Sequence, residues 1–180
     1  MTQQTNRREF LQHSTETATV LAAVATLGGV HAFGDEKPAT VRLAIIGCGG
    51  IMNHHVQGIV SRKEAVSIVW LCDVDPRQID KTAGLMAGFQ SAAPKMSARF
   101  EDVLDDKDVD ACIIATPHHW HAPMALAAMR AGKDVYIEKP ISHVYNEGPL
   151  IIAAAKEYRR VVLQGSQMRS SPITAKAGQL

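Results

Sequence analysis

Val41-Arg42-Leu43-Ala44-Ile45-Ile46-Gly47-Cys48-Gly49-Gly50-Ile51-Met52-Asn53 decides how the rest of the chain is read. A short run, apolar at nearly every position, enters a glycine-dense turn, and a helical pattern leaves it. A strand apolar on both faces is what a buried parallel sheet requires. The turn supplies what a nucleotide-binding strand–turn–helix unit needs. Gly47 permits the tight bend. Gly49 lets the backbone approach a pyrophosphate with no side chain in the way. The helix start at Gly50 and Ile51 offers free N–H groups and the positive dipole end to phosphate. Met52 stands where the fingerprint has its third glycine. The turn is therefore a weak signal alone, and the first helix is expected to stand slightly apart from its strand or tilted.

Such a unit needs a carboxylate at the end of its second strand, to accept hydrogen bonds from the adenosine ribose. The apolar run 66–72 ends in Asp73-Val74-Asp75. Asp73 falls somewhat farther from Gly47 than the typical ~20 residues, which a longer first helix accommodates. A carboxylate there repels a ribose 2′-phosphate, so NAD is favoured over NADP, while Arg77 is the counter-signal. Asp75 suits the capping of a second helix over 76–90 that opens on Pro76. Residues 91–99 read as a loop or short strand, and 100–104 as a short helical turn. The run 110–117 reads as a strand stopped by Pro117.

His118-His119-Trp120-His121 puts three imidazoles in four residues. No cysteine or carboxylate stands at ligand spacing, and neighbouring loop residues rarely all face one ion. No metal is expected. The stretch is read as a loop at the carboxyl end of a central strand, where open α/β sheets bind ligands, with His121 capping the helix over 122–131. The next strand, 134–140, ends in Glu138-Lys139-Pro140. Two readings stay open. The charges pair with each other at the sheet edge, or the lysine is held beside a cofactor's reactive ring, with a cis Lys139–Pro140 bond fixing its direction. A helix over 147–158 and a strand over 161–167 complete a strand–helix alternation. That alternation predicts a doubly wound parallel sheet with right-handed crossovers and helices on both faces.

The chain has 180 residues, 46% of them hydrophobic and 21% charged, with a formal net charge of +1. That balance gives no electrostatic argument for nucleic acid or an anionic membrane. Cys48, Cys72 and Cys112 are scattered and odd in number, so no disulfide framework is read, and each falls in or beside an apolar run as a small buried residue would. Residues 1–32 differ from the rest. Arg7-Arg8-Glu9-Phe10-Leu11 precedes a moderately apolar alanine- and glycine-rich stretch that closes on Val30-His31-Ala32. This resembles a twin-arginine export signal, and the stretch is short of the roughly 20 strongly apolar residues of a membrane anchor. A periplasmic or otherwise exported protein without stable membrane anchoring is expected. Such a protein folds before export, while its thiols are reduced. Residues 33–40 read as a linker.

Gly47-Cys48-Gly49-Gly50, Cys72-Asp73-Val74-Asp75, Thr116-Pro117-x-x-x-His121, Ala131-Gly132-Lys133-x-Val135-x-x-Glu138-Lys139-Pro140 and Gly165-Ser166-Gln167-x-Arg169 together resemble the Gfo/Idh/MocA oxidoreductases. The resemblance covers 41 to about 175. It implies a Rossmann cofactor domain over 41–170 and an NAD(P)-dependent enzyme acting on sugars, inositols or related polyols. It places Gly47, Gly49, Gly50, Ile51 and Met52 on the pyrophosphate, Asp73 on the ribose, and Thr116, Pro117 and His121 along the dinucleotide. Glu138 and Lys139 fall beside the nicotinamide, with Lys139 as the catalytic residue. Family members continue into a second α/β domain, so 171–180 is expected to be its truncated opening. Homo-oligomers are expected of the full-length form. Two further readings remain: a redox-neutral, NAD-dependent glycosidase, and a dinucleotide-binding fragment without catalysis.

Overall fold

The computed structural model describes residues 40–61, 65–167, 171, 174 and 176. The expected export signal over 1–32, nearly all of the linker and most of 171–180 lie outside the described residues. The described chain alternates strand and helix: β1 (Val41–Ile46), α1 (Gly50–Val60), β2 (Val66–Cys72), α2 (Pro76–Leu85), β3 (Lys95–Ser97) and α3 (Phe100–Asp105). It goes on through β4 (Ala111–Ile114), a 3-10 turn (His118–Trp120), α4 (His121–Arg130), β5 (Asp134–Ile137), α5 (Glu147–Glu157) and β6 (Val162–Gln164). The six strands form one sheet in the order β3-β2-β1-β4-β5-β6, and every neighbouring pair is parallel. The chain works outward from β1 to β3, then returns to lay β4 against the other side of β1. That reversal opens a crevice at the carboxyl edge between β1 and β4, where doubly wound sheets bind ligands.

The apolar strands explain the two cores. Along β1, Ala44 and Ile46 face one layer and Ile45 faces the other. Ile45, Ile68, Leu71 and Ile113 pack against Met52 and Val56 of α1 and Ile79 of α2. Ala44, Ile46, Cys112, Ile114, Val135 and Ile137 pack against Ala125, Ala128 and Met129 of α4 and Ile151 of α5. The small alanines of α4 let that helix lie close to the sheet. All three cysteines are buried, and burial pushes each thiol up to about 12. They are packing groups with no reactive thiolate at neutral pH.

Several boundaries fall short of the sequence expectation, β4 ending at Ile114 and β5 at Ile137 rather than running on to residues 117 and 140. The second helix stops at Leu85 rather than near residue 90. Gly88 takes φ +77°, and the Phe89 amide donates to Met86 O at 2.9 Å. This turn brings Met86 and Phe89 back into the core. Gln90 then bonds both backbone groups of Ile68, at 2.9 Å to the amide and 2.8 Å to the carbonyl. Its side-chain amide thus does the work of a neighbouring strand. The last strand is also shorter than expected, ending at Gln164. Gly165 to Gln167 are thereby freed to cross the end of β5.

Candidate functional site

Gly47 follows β1 with φ +92°, a conformation that L side chains rarely adopt. A Cβ there would stand 2.7 Å from the carbonyl carbon and oxygen of Ala115 and 2.9 Å from the Thr116 amide. The glycine therefore does more than bend the chain: it lets the end of β4 close against the turn. Gly49 and Gly50 differ, because a Cβ at either meets nothing within 4 Å. Neither packing nor a positive φ demands glycine at Gly49, whose φ is −73°. Gly49 is the N-cap of α1, no side chain caps that helix, and its first turn carries no acidic residue. Open space, free amides and an uncompensated positive end fit a pyrophosphate.

Asp73 lies at the end of β2, across the turn from Gly47. Its Oδ2 accepts the Cys48 amide at 2.7 Å and its Oδ1 accepts the Asp75 amide at 2.9 Å. Each oxygen keeps a lone pair for a further donor such as a ribose hydroxyl. Ile46, Gly47, Gly49, Asp73, Val74, Thr116, Pro117 and Met124 wall a cavity of about 440 Å³. Arg99, Phe100, Glu101, His119 and Trp120 close its other side. The volume is within the range of small-molecule sites. His119 and Trp120 belong to the stretch read in the sequence as a ligand-side loop, whereas Arg99, Phe100 and Glu101 were not singled out, since no local motif marks them.

The remaining expected residues divide. Met52 is fully buried among the α1-side core residues, so it serves packing and leaves the pyrophosphate to the backbone around it. Gly50 and Ile51 are exposed at the helix start. His121 is 1% exposed, is not the cap of α4, and has no place on the cavity wall. Its Nδ1 lies 2.6 Å from Pro140 O and its Nε2 2.9 Å from Thr116 O. This corrects the capping expectation. With both ring nitrogens turned to carbonyls, the imidazole braces the Thr116-Pro117 loop against the Glu138-Lys139-Pro140 turn. His118, His119 and His143 cluster at the surface with centroid spacings of 6.1 Å and 4.8 Å.

Glu138 and Lys139 do not form the mutual pair. Glu138 is 4% exposed, and its carboxylate is taken up by His55 Nε2 at 2.6 Å, Gln167 Nε2 at 2.6 Å and the Lys139 amide at 3.1 Å. Burial disfavours its charge, yet the hydrogen bonds from Gln167, His55 and the Lys139 amide outweigh burial and hold the carboxyl below its usual range. Tyr136 shifts upward, because burial and the Glu138 charge both oppose a phenolate. The Lys139–Pro140 peptide is cis. Lys139 is exposed, and among the described residues its ammonium makes no hydrogen bond or ion pair. His55, Tyr136 and Gln167 were not singled out in the sequence. Gln167 stands in a motif but carried no assigned role, and nothing local marks His55.

A Rossmann domain with this cradle is a dinucleotide-binding module of the NAD class. Residues 41–166 match the family described as "Oxidoreductase family, NAD-binding Rossmann fold". The chain belongs to that Gfo/Idh/MocA family. It is 30% identical over 176 residues to a "Glycosyl hydrolase family 109 protein" of Shewanella pealeana, covering 86% of this chain and 38% of that protein. It is 31% identical over 144 residues to an alpha-N-acetylgalactosaminidase of Tannerella forsythia, covering 70% of this chain and 31% of that protein. The fold resembles a myo-inositol 2-dehydrogenase of Lactobacillus plantarum with TM-score 0.65 and 25% identity, over 74% of this chain and 38% of that one. The chain thus spans less than half the length of these relatives.

Proposed function

We propose that this chain is the cofactor half of an NAD-dependent enzyme that moves a hydride between nicotinamide and a hydroxyl-bearing carbon of a sugar, inositol or related polyol. The observation that carries the reading is the division of labour at the end of β5. His55 and Gln167 hold the Glu138 carboxylate, so the Lys139 ammonium is left for a partner outside the described chain. Bound NAD supplies the hydride chemistry. The chain's own groups do the rest. Asp73 and the open start of α1 fix the dinucleotide at one end. His121 ties the Thr116 loop to the Lys139 turn, so the two ends keep their spacing. Lys139 Nζ orients the substrate hydroxyl and relays its proton. Lys139→Ala in the full-length protein should abolish substrate turnover while NADH binding, read by nicotinamide fluorescence, persists. Intact turnover would remove Lys139 from this role.

A second reading shares every one of these residues. The relatives named as glycoside hydrolases favour a cycle in which the hydride is returned to the same sugar, with glycoside cleavage and no net redox change. The two separate cleanly in one assay: NADH accumulates with sugar turnover in a dehydrogenase, and glycoside is cleaved without NADH accumulation in the other. A chain that binds NADH yet performs neither reaction in its full-length form is a binding module. The twin-arginine segment supports export to the periplasm, and replacing Arg7 and Arg8 by lysine should leave the protein in the cytoplasm. Homo-oligomerisation of the full-length form completes the proposal, with sedimentation as its test.

A further inference from the structure

Asp73 and Glu138 stand on opposite sides of the glycine turn. The sheet places β2 on one flank of β1, and β4 and then β5 on the other. The ladder runs on past the strand ends. The Gly47 amide donates to Cys72 O at 2.8 Å, the Ala115 amide to Ile46 O at 2.8 Å and the Glu138 amide to Ile114 O at 2.9 Å. Asp73, Gly47, Ala115 and Glu138 therefore form one row along the carboxyl edge. Asp73 is one strand from the turn, and Glu138 is two strands away on the other side, about 10 Å at the usual strand spacing. A doubly wound sheet takes a dinucleotide across this edge, with one nucleoside on each half. With the adenosine ribose on Asp73 and the pyrophosphate at the start of α1, the nicotinamide nucleoside falls to the half built on β4 and β5.

Glu138 differs from Asp73 in what its carboxylate can do. It is 4% exposed and is not on the cavity wall. Its Oε1 already receives His55 Nε2 and Gln167 Nε2, each at 2.6 Å, and its Oε2 receives the Lys139 amide at 3.1 Å. It is a fixed charge rather than a ligand. Those donors hold it as a carboxylate against the cost of burial. A buried charge is screened much less than an exposed one, and the neighbouring cation, Lys139, is exposed. The nicotinamide ring is the part of the dinucleotide whose charge changes with hydride transfer, positive when oxidised and neutral when reduced. We propose that Glu138 sets the redox poise of the bound cofactor, favouring the oxidised ring by its field rather than by contact; this rests on the NAD-binding reading. The carboxylate thereby makes the bound reduced ring a stronger hydride donor, whichever of the two reactions follows.

The test is a pair of calorimetric titrations of the full-length protein, with NAD+ and with NADH, at one fixed ionic strength. The ratio of the NAD+ to the NADH dissociation constant separates charge from structure, because a misshapen site weakens both forms alike. In Glu138→Gln that ratio should rise about tenfold. For a two-electron couple this raises the potential of the bound cofactor by about 30 mV. Tyr136→Phe removes a neutral hydroxyl beside the same carboxylate and should leave the ratio within about twofold of wild type. Lys139→Met removes the opposing exposed cation and should lower the ratio about threefold, so it serves if Glu138→Gln does not fold. An unchanged ratio in Glu138→Gln overturns the proposal. So does a shift in Tyr136→Phe as large as that in Glu138→Gln or, where only Lys139→Met can be measured, a ratio that does not fall. Wild-type protein that binds neither form would instead overturn the cofactor reading on which the proposal rests.

Discussion

Two turns at the carboxyl edge of the sheet do comparable jobs by opposite means. The turn after β1 is specified by side chains that are missing. Gly47 holds φ +92° and lets Ala115 and Thr116 close against it, while Gly49 leaves room beside the amides of α1. The turn after β5 is specified by side chains brought from elsewhere. His55 comes from α1, Gln167 from beyond β6, and His121 from the start of α4. A backbone cradle recognises a phosphate that is the same in every dinucleotide. The polar network instead holds the backbone around Lys139, whose amide bonds Glu138 and whose neighbour Pro140 faces His121 through its carbonyl. The first turn is rigid because nothing else fits, and the second because the Glu138 carboxylate, the Lys139 amide and the Pro140 carbonyl all have partners.

The comparison breaks most visibly at Gly47. An alanine there carries the cost of a positive φ, about 1–2 kcal/mol. It also drives its methyl into the backbone of Ala115 rather than into a side chain that can move. Gly47→Ala should cost about 3 kcal/mol or more. Thermal unfolding should fall by about 10 °C or more, or the protein should fail to accumulate in soluble form. Melting within about 3 °C of wild type would show that the Ala115 approach can relax.

Legibility in the sequence followed the same divide. The strand–helix alternation, the buried β1, the Gly47 turn and Asp73 at the end of β2 were all readable, because each depends on local pattern or on a residue's place at a strand end. The extent of α2 was misread because its apolar pattern runs on past Leu85 into Met86 and Phe89. Gly88 turns those residues inward without continuing the helix. His121 was read as a cap because it precedes an apolar helical run. Its actual partners, the Thr116 and Pro140 carbonyls, include one that lies beyond the whole of α4 and β5. His55 was invisible for a related reason. Its partner Glu138 is 83 residues away in sequence, and no periodicity encodes that meeting. Glu138 was legible as a charge at a strand end, open to a pair with Lys139 or to a place beside the nicotinamide, but not as the partner of His55 and Gln167.

The network turn has its own glycine, and it sharpens the contrast. A Cβ on Gly165 would stand 2.6 Å from the Tyr136 hydroxyl and 3.2 Å from Glu138 Oε1. The obstacles are side-chain ends, so the network can give where the Ala115 backbone cannot. Gly165→Ala should cost about 2 kcal/mol, less than Gly47→Ala. Combining it with Tyr136→Phe, which deletes the hydroxyl in the way, should recover part of that loss. A double variant less stable than the sum of its single changes would place the clash elsewhere.

Glu138→Gln removes the charge and keeps the shape, with an expected cost of about 1–2 kcal/mol at neutral pH. The sign with pH follows from the direction of the shift. The folded carboxyl is held below its usual range, so its contribution is full above the unfolded pKa of about 4. It is lost as the pH falls through the folded value. Wild type and Glu138→Gln should therefore converge in stability as the solution is acidified. Chemical denaturation at neutral pH and near pH 3 checks this. A gap that widens in acid would mean the carboxyl is protonated in the folded protein.

The smallest stability effect belongs to Gly49, two residues from the largest. Alanine at an N-cap is worse than glycine by about 0.5–1 kcal/mol. A φ of −73° suits alanine, and losing glycine's freedom in the unfolded chain returns about 0.4–1 kcal/mol. Nothing within 4 Å would meet the new methyl. Gly49→Ala should thus melt within about 2 °C of wild type. NADH binding should behave differently, because the methyl enters the space where the pyrophosphate meets the helix start. Its dissociation constant should rise about tenfold or more. A variant that melts like wild type and also binds NADH like wild type would mean that the phosphates lie off the Gly49 amide. The glycine turn would then be a structural corner with no cradle in it.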